Sequence, residues 1–148
     1  MAFSEAVRSC LSKYATFSGR APRSEYWYWT LFYLLILVGG GLLVVVLGVT
    51  FNGQPGIPAA IFVISLFALF LPMLAVSVRR FHDLDRSGWW FLMYFVPYIG
   101  NIIALIWFMF RGTAGDNRFG PDPLGGYADP GDGEYAQKSS IPTVTRKD

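Results

Sequence analysis

Arg79-Arg80-Phe81-His82-Asp83-Leu84-Asp85-Arg86-Ser87-Gly88-Trp89-Trp90 is the stretch that decides the fold of this chain. Its first ten residues, Arg79 to Gly88, form a charged bridge between two apolar runs of 22 residues each, Ile57 to Val78 and Trp89 to Phe110. Neither run contains an Asp, Glu, Lys or Arg. A helix of ~20 apolar residues is long enough to cross a hydrocarbon core. The bridge therefore reads as a loop at a membrane surface. On its N-terminal side charge is absent for 53 consecutive residues, Tyr26 to Val78, which takes in a further apolar run, Tyr26 to Val49.

Composition agrees with that solvent. Hydrophobic residues make up 53% of the 148 and charged residues 15%, against ~25% charged in a soluble globular chain. A soluble domain of this size could not cover so much apolar surface. The net charge of +2 is too small to indicate nucleic acid, and the basic residues sit beside apolar runs instead of covering a face of their own. The partner they suit is the membrane surface. Cys10 is the only cysteine, so an intrachain disulfide is excluded. Met1 to Glu25 is mixed and polar, with no cleavage site after Val49, so a cleavable signal peptide is not expected.

Taken in order, Phe3, Val7, Cys10, Leu11 and Tyr14 recur at helical spacing. They predict a short amphipathic helix, lying in the headgroup plane or packing its stripe on the ends of the spans. Gly19 and Pro22 stop it. The first span, 26–49, opens with Trp27 and Trp29 at interface level, and Gly39, Gly40 and Gly41 would let another helix approach. A short uncharged turn, Thr50 to Gly56, leads to the second span, 57–78. There Pro58 sits in the first turn and Pro72 should kink the helix, with Ser65 or Ser77 available to nearby carbonyls. The third run, 89–110, holds Pro97-Tyr98-Ile99-Gly100-Asn101 near its centre. It is expected as a full, bent span, with a re-entrant hairpin as the alternative. Residues 124–148 lack any apolar period and are expected to be disordered.

The expected architecture is thus all-α: a membrane domain over 1–123 with three transmembrane helices and a short N-terminal amphipathic helix. The Lys and Arg excess orients it with the N-terminus in the cytoplasm. Arg8, Lys13, Arg20, Arg23, Arg79, Arg80 and Arg86 then lie inside, and three-span parity sends Arg111 and Arg118 outside. A third run that turned back would bring all nine inside.

Four blocks stand in order along the chain. They are Phe17-Ser18-Gly19-Arg20-Ala21-Pro22-Arg23-Ser24-Glu25-Tyr26-Trp27; Arg79-Arg80-Phe81-His82-Asp83 with Arg86-Ser87-Gly88-Trp89-Trp90; Pro97-Tyr98-Ile99-Gly100; and Asn117-Arg118-Phe119-Gly120-Pro121-Asp122-Pro123. Together they resemble the small bacterial inner-membrane proteins of the YhaH type, a family catalogued as a domain of unknown function. The resemblance runs from about Phe3 to Pro123. It implies a multi-pass inner-membrane protein with no established biochemical activity, and it marks Gly19, Glu25, Gly88, Trp89, Asn117, Arg118 and Asp122 as motif residues. Phe81 departs from the leucine the family prefers, and Leu84-Asp85 from its small or polar pair.

Little chemistry is written in these blocks. His82, Asp83 and Asp85 suggest a metal or an acid/base group, yet His82 is the only histidine, whereas a closed zinc site takes four ligands. No cofactor is expected. Ser87 lacks a nucleophile elbow, and Gly112, Gly115 and Gly120 lack the Lys-Ser or Lys-Thr of a phosphate loop. No ionisable group interrupts the spans, as a proton relay would require. Two readings of the basic residues remain. In the plainer one, Arg20, Arg23, Arg79, Arg80 and Arg86 pair with Glu25, Asp83 and Asp85 and tie the span ends together. In the other, those five arginines converge on anionic phospholipid headgroups or on a partner membrane protein, since guanidinium forks match phosphate. A membrane enzyme, or an accessory to one, acting on a lipid phosphate, with His82 and Asp83 as acid/base candidates, is the alternative function; a homo-oligomer is a further partner class.

Overall fold

Two helices longer than a hydrocarbon core is thick follow from the two charge-free runs that precede the bridge. In the computed structural model, which describes residues 1–50 and 56–125, α1 spans Phe3–Ser12, α2 Arg23–Thr50, α3 Gly56–Asp83 and α4 Ile99–Met109. A 3-10 segment, Gly88–Phe95, lies between α3 and α4. The described residues are helical or irregular, with no strand beyond one isolated bridge between Asn117 and Gly120. The expected disordered tail lies outside the described residues from position 126 onward, as do positions 51–55 of the expected turn between the first two spans.

Each of α2 and α3 has 28 residues, ~42 Å at 1.5 Å per residue, and both are long and apolar enough to cross a membrane. Protein hardly covers their outer halves: Leu42, Val45, Ile61 and Phe67 are all exposed. The two pack closely where α2 offers glycine. A Cβ at Gly40 would lie 2.6 Å from the Phe62 ring of α3, whereas Gly39 faces open space. Of the three glycines, Gly40 makes the close contact, and Gly41 meets the same ring at ordinary van der Waals distance, 3.8 Å.

Pro72 sits inside α3 and has no N–H to give the carbonyl of Ala68 four residues back. The Tyr14 hydroxyl donates to that carbonyl instead. Ser65 and Ser77, the expected donors, serve other carbonyls, Phe62 O at 2.7 Å and Met73 O at 2.7 Å. An aromatic from outside the span therefore fills the gap that proline opens.

The third apolar run corrects the expectation of one bent helix over 89–110. It divides into the 3-10 segment and α4, joined at Pro97-Tyr98. Tyr98 has φ 63° and ψ −61°, and Ile99 N–H donates to Pro97 O at 2.7 Å. That is the rare, strained form of γ-turn, which reverses the chain at a cost of ~1–3 kcal/mol. The limbs then run back to back, because Gly100 has no side chain: a Cβ there would collide with the Met93 carbonyl. Both limbs return to one end of the molecule. Gly88 packs against Val78 and His82, and the carbonyls of Phe108 and Phe110 accept from Arg80.

α1 forms where the apolar stripe predicts, burying Cys10 together with Ala6, which the stripe omits. It packs on the first turns of α2, with Phe3 edge-on to Tyr28 at 5.9 Å. Phe3, Leu11 and Tyr14 stay more than a third exposed. The core gathers at this same end: Cys10, Ala21, Tyr26, Trp29, Val76, Phe81, Ala104 and Phe108. Phe108 is the hub, 4.5 Å from the Tyr26 ring and 4.7 Å from the Phe81 ring.

Candidate functional site

The last turn of α3 leaves its final carbonyls without intrahelical donors, as every helix end does, and here those of Phe81, His82 and Asp83 find partners beyond the helix. Arg86 N–H donates to Phe81 O at 2.9 Å and Asp85 N–H to His82 O at 3.0 Å, with Asp85 at φ 54°. This is a Schellman cap in which Asp85 holds the left-handed position that usually goes to glycine. Asn117 Nδ2 adds a second donor to His82 O at 2.9 Å. Thr113 donates its N–H to Asp83 O at 2.8 Å and its hydroxyl to the same oxygen at 3.1 Å. Ala21 N–H reaches Arg79 O at 3.1 Å. Two segments distant in sequence, around Ala21 and over Thr113 to Asn117, thus converge with the chain's own continuation on one helix end.

Charges are tied together around the same turn. Arg20 Nε lies 2.9 Å from Asp83 Oδ1, while Arg80 Nη1 takes Asp83 Oδ2. Both oxygens of the carboxylate are therefore committed to guanidinium groups. Arg79 Nη1 pairs with Glu25 Oε1 at 2.9 Å, linking α3 to α2. All five side chains are at least 94% buried. Three buried cations face two buried anions, and the surplus is spread over backbone oxygen. Arg20 donates to Thr113 O at 2.5 Å and Gly115 O at 2.6 Å, and Arg80 to the C-terminal carbonyls of α4, where a cation also suits the helix dipole.

Glu25 gathers more than Arg79. Ser9 Oγ donates to its Oε1 at 3.0 Å and Cys10 Sγ lies 3.7 Å from the same oxygen. Burial, then the neighbouring Glu25 charge, push the Cys10 thiol up to about 12. An unreactive, structural thiol is what such a pocket makes.

The arginines expected to converge do so only in part. Arg20, Arg79 and Arg80 come together but are enclosed. Arg23 is exposed and donates to Met109 O at 3.2 Å. Arg86, half-buried, stands 4.0 Å over the Trp107 ring and 5.5 Å from that of Trp90. Arg118 is exposed and pairs with Asp85 at 3.1 Å. His82 Nδ1 lies 3.1 Å from Gly19 O, and its ring stacks on Phe119 at 4.0 Å. Gly19 itself has φ +83°, a conformation open to glycine at no steric cost. Gly88 admits Val78 and His82 at close range, Trp89 is 78% exposed, and Asp122 accepts from Leu124 N–H at 2.9 Å. Among the described residues no three His, Cys, Asp or Glu are grouped so as to hold a metal ion.

Sequence reasoning gives several contributors no role here. Gly112 is weighed only against a phosphate loop, whereas a Cβ there would collide with the Asp83 carboxylate. Tyr14 reads only as part of an apolar stripe, and Thr113 and Ser9 carry no signal; each acts on a backbone or carboxylate oxygen far away in sequence.

A family model described as "Protein of unknown function (DUF805)" matches residues 14–121. The chain belongs to this family. Among similar proteins, the Escherichia coli K12 protein named "Inner membrane protein YhaI" is 42% identical over 115 residues, covering 78% of this chain and 92% of that protein. "Inner membrane protein YhaH" of the same strain is 44% identical over 113 residues, covering 76% and 91%. No solved structure matches. The DUF805 region starts at Tyr14, the Ala68 cap, and closes just past Asn117 and Gly120, so it spans every residue of the Asp83 cluster.

Proposed function

We propose that this DUF805 chain is a multi-pass component of the bacterial inner membrane, N-terminus in the cytoplasm, with two spans and a re-entrant hairpin in place of a third. It carries no catalytic step of its own; its work is at the inner surface, where exposed basic side chains meet anionic lipid headgroups. The inner-membrane location rests on the relatives' names and on two membrane-length helices whose sides protein leaves open. Each hairpin limb is roughly 16 Å long, about half of a hydrocarbon core. With both limbs returning to the Arg80 end, all nine Lys and Arg of residues 1–125 fall on one side, as the positive-inside rule favours.

The single observation that carries the functional reading is the division of labour among the arginines. Asp83 is saturated by Arg20 and Arg80, which makes those two a clasp and leaves the exposed Arg23 and Arg111, with the half-buried Arg86, as the cations of the five-arginine cluster and its neighbour that pair with no described acid. The same saturation speaks against His82 and Asp83 as an acid/base pair on a lipid phosphate. Each basic residue near an anionic leaflet strengthens attachment by about 1 kcal/mol. In nanodiscs of mixed phosphatidylglycerol and phosphatidylcholine, the wild-type chain should enrich phosphatidylglycerol around itself. Replacing Arg23, Arg86 and Arg111 together by Gln should remove most of that enrichment; an unchanged lipid annulus would refute the reading.

A further inference from the structure

A groove between α1 and the first turns of α2 lies apart from the clasp. Its volume is about 640 Å3, with Phe3, Val7, Leu11 and Phe32 as apolar walls and Ser4 and Arg8 beside them. Ser4 and Arg8 stand four residues apart on the exposed side of α1, so they face the same way. Arg8 forms no ion pair with any described acidic residue. Glu5, one turn before it, is engaged in accepting the Ala2 N–H at 2.8 Å.

The level of the groove is fixed by Glu25. Ser9 and Cys10 hold α1 to that carboxylate, which immediately precedes the charge-free run. Phe32 lies seven residues further along α2, roughly 10 Å deeper. The cationic part of the groove is therefore at headgroup height and its apolar wall extends toward the acyl region. We infer that it holds one glycerophospholipid with an anionic headgroup, the phosphate against Arg8 and Ser4 and an acyl chain along Phe32. A guanidinium fork matches phosphate oxygens in geometry as well as charge. This site deepens the surface-lipid function above and rests on it, while relocating the discrete contact to a residue outside the bridge.

The test is native mass spectrometry of the full chain in detergent with phosphatidylglycerol or phosphatidylcholine of matched acyl chains. Wild type should retain one phosphatidylglycerol in preference to phosphatidylcholine. Arg8→Gln should weaken that retention about fivefold. Val7→Trp fills the groove without touching its charge and should abolish the adduct, while Arg118→Gln, remote from α1, should keep it. Equal retention of both lipids by wild type overturns the site, as it would if an acidic protein segment were the occupant instead. So does a phosphatidylglycerol adduct that survives in both Arg8→Gln and Val7→Trp. Those failures would leave the Arg23, Arg86 and Arg111 enrichment standing, whereas an annulus unchanged by the triple substitution, with the adduct intact, would strike the broader reading alone.

Discussion

Gly100 packs against the main chain of Met93 so tightly that a Cβ on Gly100 would collide with the Met93 carbonyl. This contact, with the reversal at Tyr98, makes the third apolar run a hairpin. Gly100→Ala should therefore force the limbs apart. Overpacking costs typically ~1–3 kcal/mol, and a collision with backbone belongs at the upper end because no side-chain rotamer can relieve it. Thermal unfolding in detergent, followed by tryptophan fluorescence, should show a midpoint several degrees lower. A variant as stable as wild type would count against the hairpin.

Glu25 and Arg79 offer a second test. Removing one partner of a buried ion pair leaves the other charge uncompensated, at ~3–5 kcal/mol. Glu25→Gln should fall in that range by chemical denaturation. Replacing both by apolar residues of similar size, Glu25→Leu with Arg79→Met, should recover most of the loss. Additive single and double losses would mean that the pair at 2.9 Å does not bind the helices together.

Cys10 gives a pH-dependent readout. With its thiol pushed up to about 12 by burial and by Glu25, only about one molecule in ten thousand carries the reactive thiolate at pH 8. Maleimide should therefore leave the folded protein unlabelled at pH 8 and label it after denaturation in dodecyl sulfate. Because the Glu25 charge raises the thiol, Glu25→Gln should increase labelling of the folded form. Rapid labelling of the native wild type would contradict the placement of α1.

Tyr14 and Pro72 should behave as a coupled pair. Tyr14→Phe leaves the Ala68 carbonyl unsatisfied, at ~1–3 kcal/mol. Pro72→Ala restores a backbone N–H four residues after Ala68, so Tyr14→Phe should cost much less in that background. A double-mutant cycle measures the difference directly. Equal costs in both backgrounds would rule out the cap.

Much of this architecture was legible from residues alone, and what was not has identifiable causes. Charge-free length foretold α2 and α3, and apolar spacing foretold α1, because each signal is local to its element. Pro97, Gly100 and Asn101 flagged a break in the third run without deciding its form. That was decided by Arg80 reaching the carbonyls of Phe108 and Phe110, a contact across 28 to 30 residues that periodicity does not encode. The bridge disclosed its charges but not their burial: Arg79 and Arg80 look like surface loop residues until Glu25, Arg20 and the Thr113 turn are folded around them. Nor could composition separate Asp83, a shared clasp, from Asp85, an exposed helix-cap residue two positions on.

The account stands most directly on the parity of the chain, and fluorescent-protein fusions that fold only in the cytoplasm measure it. Fusions of the full chain at the N-terminus and at the C-terminus should both fluoresce in intact bacterial cells, because the proposed topology of two spans and a re-entrant hairpin would return the chain to the side from which it began. A bright N-terminal fusion with a dark C-terminal one would mean that residues 88–110 cross the membrane, and would contradict the account.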